Sequence, residues 1–505
     1  MKRLNYELLR ENGYDGFIMP ADAPLKVLQF GEGNFMRAFT DYWFDLMNEK
    51  GRFGGRIQML TPIGCHPAFN VPEILKEQDG LYTLYLQGSE KGEKVRNKRI
   101  ITSVNGCIDP YLDYQAFLDL ATVPSLRFIT SNTTEAGIAY DPSSRFDDAP
   151  PAGFPAKLCR FLYERWKQEL NGFIILSCEL IDNNGAELKK CVLQHCADWK
   201  LEPGFVSWIE NDNLFCSTLV DRIVPGYPRM QAQALCEENG YEDRMMDTGE
   251  LFGLWVIEGP ASLYDELPVR EAGLEDNILI VDDHTPYKQR KVRILNGAHT
   301  SFVPGAYLAG QNIVRDCMAD DVIRGFMERC IYSEIIPTLS LPEEELMAFA
   351  GSVTDRFKNP FIDHELLSIC LNSTSKWKAR VLPSVKGYLA EKKELPVCLT
   401  ASFAMYLAFY RRAEKTPEGY FGTRGNDRYE VRDDADVMVF FAAHKDEPDE
   451  VFVRHVCGCE KFWGEDLNSL DGFAETVIKD LQIIEDSGTY ALMNELAGNW
   501  NYSVK

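Results

Sequence analysis

No stretch of this 505-residue sequence is apolar for long enough to cross a bilayer. The longest apolar run, Cys398 to Tyr410, falls short of the roughly 20 residues that a membrane helix needs. The start, Met1-Lys2-Arg3-Leu4-Asn5-Tyr6-Glu7, has two basic residues and no apolar segment behind them, so neither an export signal nor an anchor is expected and the cytoplasm is the expected location. Positive charge is also in short supply. Lys and Arg number 53 against 77 Asp and Glu, a formal charge of −24, which excludes a broad nucleic-acid or anionic-membrane footprint and means that an anionic substrate must find a locally basic pocket. Internal repeats and low-complexity tracts are absent. The 14 cysteines, with no export signal, read as reduced thiols rather than a disulfide framework.

What is present is core-forming material: 45% hydrophobic residues with 37 Gly and 25 Pro, enough for a large core and two domains. Lys26 to Phe30 is a short extended run ending in Gly31-Glu32-Gly33, after which Phe35, Phe39, Tyr42 and Leu46 recur at helical spacing until Gly51. Further apolar runs at Ile57 to Leu60, Arg127 to Thr130, Phe173 to Cys178 and Ile278 to Val281 predict βαβ units and a mostly parallel sheet through residues 1–285. Leu81 to Leu86 and Arg99 to Val104 flank a polar segment and read as a hairpin, and Tyr140 to Pro155 reads as a loop. Residues 286–505 read as a helical domain. Ser340-Leu341-Pro342-Glu343 predicts a capping box there, and the polar, glycine-bearing stretch Thr416 to Asp434 interrupts the helical pattern.

Two segments carry chemistry. Gly31-Glu32-Gly33-Asn34-Phe35-Met36 supplies the first two glycines of a dinucleotide fingerprint, letting the chain turn sharply and a pyrophosphate approach the amides that open the next helix. Met36 replaces the third glycine, and Arg37 adds a cation that could face the phosphates. An ordinary strand-to-helix turn is the competing reading. The second strand, Arg56 to Pro62, ends without the acidic residue that grips the ribose of NAD. Thr130 to Gly137 suits a loop lining a cofactor cleft, or equally a helix N-cap with Glu135 in its first turn.

The other segment is Lys291-Val292-Arg293-Ile294-Leu295-Asn296-Gly297-Ala298-His299-Thr300. At about 100° per residue, Lys291, His299 and Asn296 fall near roughly 0°, 80° and 140°, on one side of a helix. A lysine there can exchange a proton with a carbonyl or alcohol oxygen while the amide and imidazole bond the same oxygen as charge builds on it. Reduction is the less demanding direction, because at a reference pKa of about 10.4 the lysine is already protonated. A charged surface helix with one satisfied histidine is the competing reading.

Lys291-x-x-x-x-Asn296-x-x-His299, together with Gly31-x-Gly33-Asn34-Phe35-x-Arg37-Ala38, resembles the polyol-specific long-chain dehydrogenases, the mannitol dehydrogenase family. Ser177-Cys178-Glu179, Val220-Asp221-Arg222-Ile223 and Arg356-Phe357-Lys358-Asn359-Pro360 match in the same order. Longer strings such as Ser131-Asn132-Thr133-Thr134-Glu135-Ala136-Gly137 and Cys216-Ser217-Thr218-Leu219-Val220-Asp221-Arg222 narrow the likeness to its hexuronate-reducing branch. The resemblance implies an α/β fold: a Rossmann-type, mostly parallel sheet domain with insertions, then a mainly α-helical domain. It implies no catalytic metal and NADH-linked reduction of the ketone of tagaturonate to altronate in hexuronate breakdown. Lys291 is implied as acid/base, with Asn296 and His299 on the reacting oxygen. The implied cofactor residues are Phe30, Gly31, Gly33, Asn34, Phe35, Arg37, Asn132, Thr133 and Asp221. Lys288, His364 and Lys376 are the substrate-binding candidates. Fructuronate reduction, neutral polyol oxidation and a non-catalytic NAD sensor are the alternatives.

Two departures bear on the substrate. Leu180 stands where mannitol-type members carry an asparagine, and Lys288 where they carry an acid. A carboxylate-bearing substrate rationalises them through a cationic cleft in which Lys288, Lys376, Lys378 or Arg380 faces the uronate. Three candidate metal ligands occur close together in His455-Val456-Cys457-Gly458-Cys459, but they are crowded and have no second pair at finger spacing. Cys191 and Cys196, either side of His195, read as partly buried free thiols on a helix.

Overall fold

The computed structural model describes residues 1–65, 69–90 and 93–497. They form two compact units. One comprises Met1–Gly88 and Val95–His284, the other Ser89–Lys94 and Thr285–Lys505.

The first unit is built on an eight-stranded sheet in the order β11-β10-β8-β7-β6-β1-β2-β5. Its strands are β1 Leu25–Phe30, β2 Arg56–Leu60, β5 Val104–Ile108, β6 Phe128–Ser131, β7 Ile174–Ser177, β8 Leu214–Asp221, β10 Leu254–Glu258 and β11 Ile278–Val281. Every pairing is parallel except β8 with β10. Successive residues feed opposite faces: Val27, Phe128, Ile174 and Leu176 join one core cluster, and Leu28, Phe30, Ile129 and Ile175 the other. Both faces are therefore covered, as a parallel sheet requires. β1 lies between β2 and β6, so the connections leave it in opposite directions and open a crevice at the carboxyl ends of β1 and β6, where ligands bind in sheets of this kind.

The predicted hairpin forms from β3 Tyr82–Glu90 and β4 Glu93–Ile101, but outside the main sheet. These strands join β9 Asp247–Glu250 in a separate sheet of order β4-β3-β9. The helix expected after Gly33 is two pieces, Asn34–Ala38 and Thr40–Gly51, broken at Phe39, whose backbone (φ −124°, ψ −80°) leaves the helical region. Residues 132–138 form an irregular loop and turn with Thr134 at φ +70°, not a capped helix, and the next helix begins at Phe154. The helix Asn184–Asp198 starts hard against β8: a Cβ on Gly185 would stand 2.4 Å from the backbone carbonyl of Cys216. This is the close helix-to-strand approach that a glycine licenses.

The second unit is helical around Val397–Arg411, whose residues from Cys398 to Tyr410 are all buried. It packs against the helices Gly297–Leu308 and Phe473–Ser487. No described helix is long and apolar enough to cross a membrane. The stretch that interrupts the helical pattern is a three-stranded antiparallel sheet, β12 Glu414–Thr416, β13 Gly419–Arg424 and β14 Asp427–Glu430. The expected capping box does not form. Pro342 itself holds the N-cap position of the helix Glu343–Phe357 and makes no side-chain cap, and three glutamates in its first turn answer the helix dipole instead.

Gly185→Ala tests the close approach at β8. The added methyl meets backbone that cannot yield, at a cost of about 3 kcal/mol, so the melting temperature is expected to fall by several degrees in differential scanning calorimetry. An unchanged value refutes the contact.

Candidate active site

Each unit carries one half of the candidate residues. In the first, the chain leaves β1 through Gly31 at φ +130°, a conformation that a side chain would strain, and a Cβ there would lie 3.2 Å from the Asn132 carbonyl oxygen. Gly33 caps the helix Asn34–Ala38, and a Cβ on it would meet nothing within 4 Å. The turn is therefore open above Gly33 and pinned below Gly31. Asn132, one strand over, donates its amide to the Cys178 carbonyl at 3.0 Å, and its own N–H bonds the Phe30 carbonyl at 3.1 Å. Thr133 is held by Glu179, which accepts from its N–H and its hydroxyl, both at 3.0 Å, and from Ser131 Oγ at 3.1 Å. Burial pushes the Glu179 carboxyl up, partly offset by these bonds. Glu179 thus shapes the 131–133 loop, a role that the spacing of the Ser-Cys-Glu block did not reveal.

Gly31, Gly33, Asn34, Asn132 and Thr133 meet at the crevice between β1 and β6. Asp221 ends β8 on the same edge but further along it, because β7 and β6 stand between β8 and β1. Phe35 is half-buried and stacks on Phe39 at 5.0 Å. Two expectations fail. Phe30 is 1% exposed with its ring against Phe117 and Phe154, so only its backbone reaches the crevice. Arg37 does not face the phosphates. It is buried, with its guanidinium bonded to the carbonyls of Glu32 and Met245 and to Asn34 Oδ1, and paired with Asp247 at 3.7 Å. Two carboxyl groups, Glu32 on the turn and Asp109 just past β5, lie close enough to influence one another on the β2 side. Burial, with a contribution from Asp109, raises Glu32. Burial also works to raise Asp109, but bonds from the Cys65 and Tyr111 N–H groups outweigh it and leave that carboxyl lowered.

In the second unit Lys291, Asn296 and His299 lie on one continuous helical run, but Lys291–Asn296 is π-helical and α-helix resumes at Gly297. The wider turn re-phases the side chains relative to the α-helical angles expected for them. Lys291 and Asn296 are half-buried and His299 is buried. The His299 ring stacks on Phe357 at 4.0 Å and 16°, with His364 edge-on at 5.4 Å. Its Nε2 is buried and makes no hydrogen bond among the described residues. Burial, then the nearby His364, Arg356, Arg380 and Lys376, hold its pKa far below the ordinary imidazole value, so the ring is neutral.

The cations come from two directions. Arg356 is buried one residue before Phe357, while Lys376 and Arg380, one helical turn apart on Ser373–Arg380, act on each other and on His299. Lys376 Nζ bonds the Ile369 carbonyl at 2.9 Å, and burial lowers both its pKa and that of Arg380. His364 joins this group, lowered first by burial and then by Lys376. Lys378 does not belong to it. Its ammonium lies beside Gly464 on another face of the helix, 3.4 Å from where a Cβ on that glycine would be. Lys288, half-buried on Thr285–Arg290, stands three residues before Lys291 on the same run.

Comparison with known proteins agrees with this division. Residues 25–270 match the mannitol dehydrogenase Rossmann domain and residues 283–485 the mannitol dehydrogenase C-terminal domain. The chain is 46% identical over 479 residues to an altronate oxidoreductase of Klebsiella pneumoniae strain 342, covering 93% of this chain and 96% of that protein. It belongs to the mannitol dehydrogenase family. An altronate oxidoreductase of Yersinia enterocolitica is 44% identical with the same coverage. Among solved structures, a D-sorbitol dehydrogenase in substrate-free form superposes with TM-score 0.79 at 22% identity, covering 97% of this chain and 100% of that one. The mannitol 2-dehydrogenase of Pseudomonas fluorescens, in a ternary complex with NAD and D-mannitol, gives 0.68 at 22% identity, covering 98% and 99%. Both confirm, for this member of the mannitol dehydrogenase family, the α/β fold with a helical C-terminal part.

His299 supplies a pH test. The unfolded chain protonates an imidazole below about 6.5, whereas the folded state keeps this one neutral, so the unfolded state binds more protons and stability falls as pH drops. Melting curves between about pH 8 and pH 5 are expected to show a steeper acid loss for the native chain than for His299→Gln. Equal slopes refute the neutral, buried ring.

Proposed function

We propose that this chain is an NADH-dependent oxidoreductase that interconverts the ketone of tagaturonate and the corresponding alcohol of altronate, with Lys291 as general acid/base. The observation that carries the reading is the neutral, buried His299, whose Nε2 lacks a partner among the described residues and which feels the charges of Lys376 and Arg380 nearby. A buried polar atom without a partner is costly, and a cluster of cations in a chain of charge −24 calls for an anion. A sugar acid satisfies both, its carboxylate meeting the guanidinium groups and an oxygen meeting the imidazole. A neutral polyol brings no charge to complement Lys376 and Arg380, whose like charges oppose one another. The altronate oxidoreductases among the relatives support the same choice.

The first unit fits a dinucleotide. The strained turn at Gly31, the open approach at Gly33 and the crevice at the strand switch suit a pyrophosphate bound by backbone amides. Asp109, held low against burial by two backbone N–H bonds, keeps negative charge on the side where the adenosine ribose belongs, which opposes the 2′-phosphate of NADP. NADH, when bound, supplies the hydride that reaches the carbonyl carbon. Lys291 gives its ammonium proton to the carbonyl oxygen, leaving an amine that regains a proton from water. The Asn296 amide and the His299 Nε2–H donate to that oxygen as negative charge builds on it. Because His299 is neutral, it stabilises the oxygen without competing as a proton donor.

NADH oxidation compared across tagaturonate, fructuronate and fructose tests the assignment. Tagaturonate is expected to lead, fructose to trail in kcat/KM by at least about 100-fold, and NADH to outperform NADPH. Lys291→Ala is expected to lower kcat by about 10²–10⁴-fold while NADH binding, followed by fluorescence, stays unchanged. Turnover near the native rate in that variant overturns the lysine role.

Arg380→Met isolates the carboxylate contact. Loss of one charged hydrogen bond is expected to raise KM for tagaturonate at least about 10-fold with little change in kcat and none in the residual rate with fructose. An unaltered KM removes Arg380 from the substrate site.

A further inference from the structure

A second cluster of ligating side chains lies elsewhere in the helical unit and shares no residue with the His299 group. His444 ends the helix Ala435–His444, Glu447 sits in the turn that follows, and His455 lies on the helix Asp449–Cys457. His444 Nδ1 is 2.9 Å from one carboxylate oxygen of Glu447, and His455 Nδ1 is 2.8 Å from the other. The two rings stand 4.9 Å apart at 69°, and one ligand atom from each of the three residues lies within 4.8 Å of the others. We propose that His444, Glu447 and His455 form a binding site for a zinc-class divalent cation that ties the two helices together across their connecting turn.

Chemistry and geometry both favour this. Imidazole nitrogen and carboxylate oxygen are zinc ligands, with bonds of about 2.0–2.2 Å that place neighbouring ligand atoms roughly 3.4 Å apart in a tetrahedron. The three ligand atoms already lie within 4.8 Å of one another, with each histidine nitrogen 2.8–2.9 Å from a carboxylate oxygen. Calcium and magnesium prefer all-oxygen sites. With side-chain exposures of 28% for His444, 27% for Glu447 and 50% for His455, an ion can enter from solvent and keep water as its fourth ligand.

The turn is held ready for it. Arg411 donates to the Lys445 carbonyl at 2.7 Å and to the Glu447 carbonyl, and pairs with Asp449 at 2.7 Å and Glu485 at 3.0 Å, so its own charge is matched. The Glu447 N–H bonds the His444 carbonyl at 3.1 Å, and the Phe440 ring packs on His444 at 4.4 Å. Ligands fixed in this way lose little freedom when the ion binds. The two cysteines near His455 in sequence are not part of the site. Cys457 is buried and pushed up to about 12, which keeps it a thiol, and Cys459 does not group with the histidines.

The test is calorimetric titration of the untagged, full-length, thiol-reduced protein with Zn²⁺, beside His444→Gln/His455→Gln, Glu447→Gln and Cys459→Ser. The native chain and Cys459→Ser are expected to bind one equivalent that the double variant binds at least about 100-fold more weakly. Glu447→Gln, which leaves both rings in place, is expected to weaken it as well. Zinc is expected to raise the melting temperature of the native chain and not that of the double variant, while NADH-linked turnover of the two stays equal and shows that the variant is folded. The proposal is overturned if the double variant takes up the same zinc with the same affinity, or if the equivalent disappears with Cys459→Ser instead.

Discussion

Keeping an imidazole uncharged among cations is the constraint on which the chemistry of the helical unit rests. His299 is sealed by Phe357 and His364, so its proton would have to be held without water and against Arg356, Lys376 and Arg380. The ring therefore stays neutral, and its Nε2 is left without a partner. Such an atom costs about 1–3 kcal/mol in the free protein. A ligand oxygen reaching it would cancel that cost, so the same feature that weakens the free fold would favour a complex. Lys376 and Arg380 stand near enough for each to oppose the other's charge, which an anionic ligand between them would relieve.

The first unit solves the opposite problem, holding a polyanion with almost no side-chain charge. Arg37 stands at the place in sequence where a phosphate-facing cation would be expected, yet it is spent on the scaffold. It gathers the Glu32 and Met245 carbonyls, Asn34 and Asp247, fixing the glycine turn from beneath. The helix opening at Asn34, uncapped by a side chain, then presents its N-terminal backbone N–H groups at the turn. Their dipoles act on a pyrophosphate without adding a free cation that would also attract the 2′-phosphate of NADP. Asp109, its carboxyl held low by the Cys65 and Tyr111 N–H groups, adds to that bias from the β2 side.

Much of the architecture was legible because its periods are local. The short apolar runs at 57–60, 127–130, 173–178 and 278–281 are strands because a two-sided parallel sheet needs apolar residues on both faces, and nothing else of that length does. The reading failed where a local pattern has two solutions or where a distant residue decides. Alternation in 414–430 is weak because its strands are short and mostly half-exposed, so the β-meander was hidden. The hairpin at 82–101 was visible, but its partner β9 lies far along the chain, so its separate sheet was not. In the candidate sites, spacing put Lys291, Asn296 and His299 on one helical run, and the structure has them on one. The inward turn of Arg37 and the separation of Lys378 from Arg380 depend on what each side chain packs against, which spacing does not encode. Arg356 and Glu179 sat inside strings quoted for the family resemblance, with nothing local to distinguish a structural role from a binding one.

The π-helical turn from Lys291 to Asn296 links these observations. A helix with an extra residue in its turn has poorer hydrogen bonds and survives where the re-aimed side chains or a close neighbour compensate. Both conditions hold here. The turn ends at Gly297, where a Cβ would lie 3.0 Å from the Arg380 carbonyl oxygen. Any other residue at 297 would push away the helix Ser373–Arg380 and, with it, Lys376 and Arg380. The missing side chain therefore lets the cation-bearing helix close on the end of the π turn, one helical turn before His299. Lys291, Asn296, His299 and the helix bearing Lys376 and Arg380 are thus positioned by one local backbone arrangement, and the glycine that permits it lies between the asparagine and the histidine.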